Sequence, residues 1–110
     1  MTFVRLYSGD DGQSHFEKLE TGEDSALFSE LQAATAIVFK NDRPAHIRGW
    51  HTAPRRQYVI TLSGSVDIRI GDGTAKTFGP GDVLLAEDLT GQGHITVPTS
   101  NWTRAFVHLE

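Results

Sequence analysis

The sequence predicts an all-β domain, and three observations carry that prediction. Turn signals recur seven to twelve residues apart through the second half, at Gly64-Ser65, Gly71-Asp72-Gly73, Gly79-Pro80-Gly81-Asp82 and Thr90-Gly91-Gln92-Gly93. Such spacing belongs to the short strands of a sandwich or barrel. Val66, Ile68 and Ile70 alternate with Asp67 and Arg69, the period of two expected of a half-buried strand. Residues 83–86 are apolar throughout, as in a short strand buried on both faces.

In chain order, residues 3–7 and 16–19 read as strands. Residues 24–31 read as one helical turn, with Asp24 or Ser25 as N-cap. Residues 33–40 are rich in β-branched and aromatic side chains and make a stronger strand, and residues 57–63 make another, closed by Gly64-Ser65. The strand at 66–70 runs into Asp72-Gly73, a hairpin signal because a type I′ turn needs positive φ at both central positions. Gly79-Pro80-Gly81-Asp82 sets a tight turn before residues 83–86. At the end, Ala105, Val107 and Leu109 alternate with Arg104, Phe106 and His108, a strand with apolar residues on both sides.

A chain of 110 residues and 12.1 kDa is the size of one domain with its own core. The absence of cysteine excludes disulfides, thiolate nucleophiles, iron–sulfur clusters and cysteine-ligated zinc. Fourteen acids against ten bases give a net charge of −4. No basic stripe is present, so nucleic acid is not expected as a partner. No apolar stretch approaches the ~20 residues of a membrane helix, and residues 1–11 lack the apolar core of a leader. The expected location is cytoplasmic. Neither glycine loop matches a nucleotide-binding fingerprint, and no Gly-x-Ser-x-Gly elbow occurs.

The stretch Trp50-His51-Thr52-Ala53-Pro54-Arg55-Arg56-Gln57-Tyr58 carries the chemistry. If extended conformation reaches back from Gln57 to His51, then His51, Ala53, Arg55 and Gln57 share one face. Trp50, Arg56 and Tyr58 point the other way, and Pro54 suits only a strand start or an edge. Glu87-Asp88 follows the apolar run and precedes the glycine-rich loop leading to His94. A carboxylate there orients an imidazole or takes a proton itself, the alternative being a solvated turn.

These residues resemble the cupin family. His51-x-Ala53-x3-Gln57-x6-Gly64 lies along its first motif, G-x5-H-x-H-x3–4-E-x6-G, and Gly91-Gln92-Gly93-His94 matches the G-x2-H of the second, with residues 78–82 as the turn that opens it. The resemblance spans residues 34–97 and implies a double-stranded β-helix, a jelly-roll-like barrel. Residues 34–110 would form the barrel, and residues 1–33 would supply N-terminal strands and a connection to a single domain over 1–110. Metal-binding cupins use two His and a Glu from the first motif and a His from the second. Here Ala53 and Gln57 stand at two of those positions. His51, Gln57 and His94 remain as candidate ligands for a divalent transition metal (Fe, Mn, Ni, Zn or Cu), but they supply no negative charge and would hold it weakly. The favoured alternative makes His51 and His94 hydrogen-bonded pocket residues with no tightly bound metal. His46 has the wrong parity for the same strand unless Gly49 breaks it.

The expected function is an enzyme of isomerase, cyclase or lyase type, acting on a small organic, anionic or carbonyl-containing molecule in the barrel. His51 and His94 would exchange the proton, with Glu87 and Asp88 in support, and Arg55, Gln57 and Tyr58 would contact substrate. Tyr58, Trp50 and Trp102 would line the pocket or a subunit contact, although buried aromatics more often belong to the core, and Arg55 equally suits a surface salt bridge. His15 and His108 read as surface positions. The alternatives are a non-catalytic ligand-binding barrel and a metal-dependent dioxygenase. Open barrel edges suggest a homodimer.

Overall fold

A computed structural model describes residues 1–109. Ten strands run in chain order: β1 (Phe3–Ser8), β2 (Ser14–Lys18), β3 (Ala34–Asp42), β4 (Arg48–His51), β5 (Gln57–Ser63), β6 (Val66–Arg69), β7 (Ala75–Phe78), β8 (Val83–Glu87), β9 (His94–Pro98) and β10 (Trp102–Leu109). There is no helix among the described residues, and the all-β prediction is met. The strands form two sheets, one of six in the order β2-β1-β8-β5-β10-β3 and one of four in the order β4-β9-β6-β7.

The sheets enclose a core drawn from both. Val4, Leu6, Val59, Leu84, Ala86 and Trp102 come from the large sheet, and Val66, Ile68 and Phe78 from the small one. Strand β8 is buried on both faces because β1 and β5 flank it and each face has a cover. Leu84 and Ala86 face the inter-sheet core, whereas Val83 and Leu85 join Phe3 and Leu109 in a second cluster on the outer face. Leu19, Leu27 and Phe28 pack onto that second cluster. The N-terminal third therefore covers the outside of the large sheet.

Two local expectations need correction. The segment at 24–31 forms turns rather than a helical turn. Ser25 does cap, its Oγ accepting from the Leu27 and Phe28 amides at 3.0 and 3.4 Å, but the apolar side chains that follow turn to the outer cluster instead of continuing a helix. The β6–β7 hairpin is also not type I′. The Gly73 amide donates to the Ile70 carbonyl and the Ile70 amide to that of Thr74. Of the loop residues only Gly73 has a positive φ, 91°. That is a turn centred on Gly71-Asp72 followed by a left-handed bulge residue, with the Asp72 carboxylate holding the Thr74 amide at 2.8 Å.

Toward the β3 and β4 edges the core gives way to a cavity. Two irregularities set what faces it. Between β4 and β9, Arg48 pairs with Thr96 and His51 with His94 across a register shift, so four residues on one strand oppose three on the other. Gly49 lies in this bulge, and the shift brings Arg48 and His51 to one face despite their odd spacing. The chain then bends at Pro54 between β4 and β5, so no continuous strand joins His51 to Gln57.

Candidate functional site

The cavity between the sheets has a volume of about 410 Å³, enough for one small organic molecule. Its floor is apolar, with Val59, Ile68, Leu84 and Ala86 from the core strands. His51, Ala53, Arg55 and Gln57 all line it, and so does Pro54, because the bend between β4 and β5 carries the segment along the cavity instead of one extended face doing so. His94 and Thr96 line it from β9, and alternate residues of β10 enter from the opposite sheet.

His51 and His94 are directly opposed in the β4–β9 pair. Their rings lie 4.3 Å apart between centroids and are tilted by 58°. Each ring has one nitrogen committed. Nδ1 of His51 lies 2.6 Å from the Gly49 carbonyl oxygen; a carbonyl only accepts, so Nδ1 donates and Nε2 carries the free lone pair. Nδ1 of His94 donates to Oδ2 of Asp88 at 2.6 Å, and the same oxygen accepts from Ser14 Oγ at 2.7 Å. Asp88 is fully enclosed, and its Oδ1 has no hydrogen-bond partner among the described residues. Burial holds the His51 imidazole below its ordinary pKa. His94 and Arg48 add to that effect, while the Gly49 hydrogen bond and Asp88 oppose it.

Gly93 makes the close approach of the rings feasible. Its φ is +78°, and a Cβ there would lie 2.0 Å from the His51 carbonyl oxygen. Only glycine fits a left-handed residue against that backbone.

The adjacent carboxylates part company. Glu87 ends β8 on the face opposite Leu84 and Ala86, where it accepts from Nε of Arg5 at 2.6 Å and from Nε of Arg56. Burial alone would raise its pKa, but the two guanidinium hydrogen bonds outweigh it and hold the carboxyl below its usual value. Glu87 contacts neither imidazole; Asp88, which also lies outside the cavity lining, accepts from the His94 ring. The period of two already separates them, since 87 shares parity with the outward Leu85 and 88 with the inward Ala86. Tyr58 is likewise outside the cavity. Its hydroxyl donates to Gln32 Oε1, and its ring stands edge-on to Phe3 with centroids 5.9 Å apart. It packs the outer cluster and does not reach a cavity ligand.

His108, read as a surface position, lines the cavity, with its Nε2 3.3 Å from an Arg55 guanidinium nitrogen. His15 is at the surface against Asp11, and His46 faces Asp42. Trp102 lines the cavity, and its indole N–H donates to Thr61 Oγ1 at 3.0 Å.

Arg104 is the residue that sequence reasoning missed. It is 4% exposed and lines the cavity beside the Trp102 ring, with its guanidinium carbon 4.2 Å from the ring centroid. Nη2 donates to Asp42 Oδ2 at 2.8 Å. The available signal was its parity with Trp102, Phe106 and His108 in a strand whose other face is aliphatic.

The cupin resemblance implies a metal, and these residues do not fit one. Two imidazoles and a neutral amide, with no carboxylate in the cavity lining, give a divalent cation no charge compensation. Among the described residues no group of three His, Asp or Glu side chains is placed to hold a metal.

No family model matches the chain, and no curated protein matches it. Solved structures do. One is protein NMB1881 from Neisseria meningitidis, 11% identical, with 97% of this chain and 82% of that chain covered at a TM-score of 0.56. The fold is shared. At that identity the likeness carries the architecture of the sheets and nothing about chemistry.

Proposed function

We propose that this chain is a small cupin, a double-stranded β-helix, whose cavity binds a small organic carbonyl compound and moves a proton on it as an isomerase, cyclase or lyase. The observation that carries the reading is the opposed His51–His94 pair, with each ring fixed through Nδ1 and left with a free Nε2. Neutral His51 is the base, because burial and the neighbouring cations keep it unprotonated. His94 is the acid: Asp88 accepts from its Nδ1 and so orients the ring and faces the charge that Nε2 carries when it holds the proton to be delivered, while Ser14 fixes the carboxylate. A buried carboxylate that aligns an imidazole and compensates its charge, without taking the proton, is a recurring arrangement. A proton taken by His51 from the carbon beside a carbonyl sends the electron pair to the carbonyl oxygen. His94 then supplies a proton to that oxygen or to a neighbouring carbon. General acid and base groups of this kind contribute roughly 10²–10⁴-fold each. The same reading includes a second copy of the chain as partner, supported by the exposed Ile37 and Phe39 on edge strand β3.

The test is proton–deuterium exchange followed by NMR in heavy water, over a panel of small ketones and oxo acids. The expected result is exchange beside the carbonyl with the wild type and loss of it in His51→Gln and His94→Gln. Asp88→Asn keeps an oxygen to accept from both Ser14 and His94, so it should stay folded and lose exchange by about 10²-fold or more. A compound that binds the wild type without exchange, and binds His51→Ala equally well, would overturn the enzyme in favour of a ligand-binding barrel.

A further inference from the structure

The chain carries a net charge of −4, yet the lining of its cavity is cationic. Four of the ten Lys and Arg residues, Lys40, Arg48, Arg55 and Arg104, line it, and none of the fourteen Asp and Glu residues does. Three of the four are exposed at the mouth. Arg104 is buried, with its guanidinium carbon 4.2 Å from the Trp102 ring centroid and 5.2 Å from that of Phe106. Its Nη2 is used by Asp42, but Nε and Nη1 are buried with no hydrogen-bond partner among the described residues. Lys40 lies directly opposite Arg104 in the β3–β10 register. Like charges facing each other across a sheet destabilise it, and an unsatisfied buried guanidinium costs free energy that a purely structural role would avoid. Asp42 supplies one carboxylate and also faces His46, so local positive charge remains in excess.

We propose that Arg104 is the anion-binding residue of the cavity, that Lys40 and Arg48 support it, and that the ligand is an organic anion whose oxyanion head sits on Arg104 and whose apolar body lies on the cavity floor. This deepens the proposed function and rests on the cavity being its ligand site. The unsatisfied groups are N–H donors only, so the group that completes the site must accept hydrogen bonds, and the surrounding cations require it to be negative. Carboxylates and phosphate monoesters share that chemistry. The mouth cations draw the anion in from solvent, and their effect falls with added salt. The buried guanidinium, screened far less, keeps the anion there.

Binding is measured by calorimetry and by Trp102 fluorescence in a Trp50→Phe background, so the readout does not depend on turnover. The probes are benzoate against benzamide, 2-oxobutyrate against 2-butanone, and phenyl phosphate against phenol. Tighter binding of at least one anion than of its neutral partner, weakened about ten- to hundredfold by Arg104→Gln, is the expected result, and the series that binds names the head group. Arg104→Lys, which keeps the charge but loses the planar fork, should restore binding only in part. Thermal melting checks the fold: Arg104→Gln should melt within a few degrees of the wild type, because the wild type without ligand leaves two guanidinium nitrogens unsatisfied. Binding of every neutral partner as tightly as its anion, or no binding by any anion, overturns the proposal. So does a global loss of folding in Arg104→Gln with anion affinity retained in Arg104→Lys at the wild-type level. Anion binding by the wild type without proton exchange on any probe would reject the reaction proposed above while leaving Arg104 in its role.

Discussion

His51 shows how much one side chain's environment decides. Its Nδ1 is tied to a backbone carbonyl two residues away, its Nε2 is free, and burial lowers its pKa from the ordinary 6.5. The pH dependence follows. Between the lowered folded value and 6.5, the unfolded chain binds a proton that the folded chain does not, so folding is favoured more strongly as pH rises through that window. The contribution from keeping His51 neutral is complete above 6.5 and is lost as pH falls through the folded value. His51→Gln removes this linkage. Melting curves of the wild type and His51→Gln should therefore keep a constant separation from pH 7 to 8, with the wild type losing ground to the variant as pH falls below 6.5. Parallel curves across the whole range would show that His51 is not desolvated as described. The same window sets where the proposed base works, since His51 stays unprotonated further into acid than a free histidine does.

Elements place these side chains, and most of the elements were legible. Alternation at 66–70, the apolar run at 83–86 and the turns at Gly64, Gly81 and Gly91 each describe local chemistry, and the structure contains each of them. Failures occurred where a local signal was outvoted. Ser25 offered a cap to a helix that was not built, since Leu27 and Phe28 gain more by covering Phe3 and Leu85 than a single isolated turn could return. The β4–β9 pair depends on the bulge at Gly49 and on Gly93, whose left-handed backbone lies against the His51 carbonyl. Gly93→Ala should accordingly cost at least about 2 kcal/mol from left-handed strain and the backbone clash. Circular dichroism melting would read that cost, and exchange activity should be lost even where the fold persists, because β4 must move away from β9. An alanine variant of wild-type stability and activity would contradict the close approach.

At the scale of the whole molecule, the outer face of the large sheet is covered at one end only. The N-terminal third packs over Phe3, Val83 and Leu85. Farther along the sheet, the rows Phe39–Ala105–Ile60 and Ile37–Val107–Tyr58 cross β3, β10 and β5, and Phe39 and Ile37 remain 63% and 59% exposed. Strand β3 also has a free backbone edge. An apolar strand exposed at an edge is open to association unless charge or proline protects it, and the proposed second copy would complete it with a self-complementary contact. Light scattering at micromolar concentration should give twice the 12.1 kDa chain mass, and Phe39→Lys should halve it. A monomeric wild type would reject the homodimer. No helix among the described residues is long and apolar enough to cross a membrane.

The sequence by itself determined what short-range patterning can encode: all-β architecture and most strand and turn positions. The tertiary structure alone decided which chemistry meets across the gap. Alternation gives each strand two faces but does not say which strand lies opposite, and a single bulge reverses parity. Hence Arg48 joined the His51 face through an irregularity, and Arg104 and Lys40 converged through the register of β10 with β3. The sequence offered Glu87 and Asp88 alike as the carboxylate that orients an imidazole, and the fold chose Asp88, which Ser14 of β2 holds beside His94. Those contacts depend on strand order and register across the molecule, and neither is written in any one stretch of the chain.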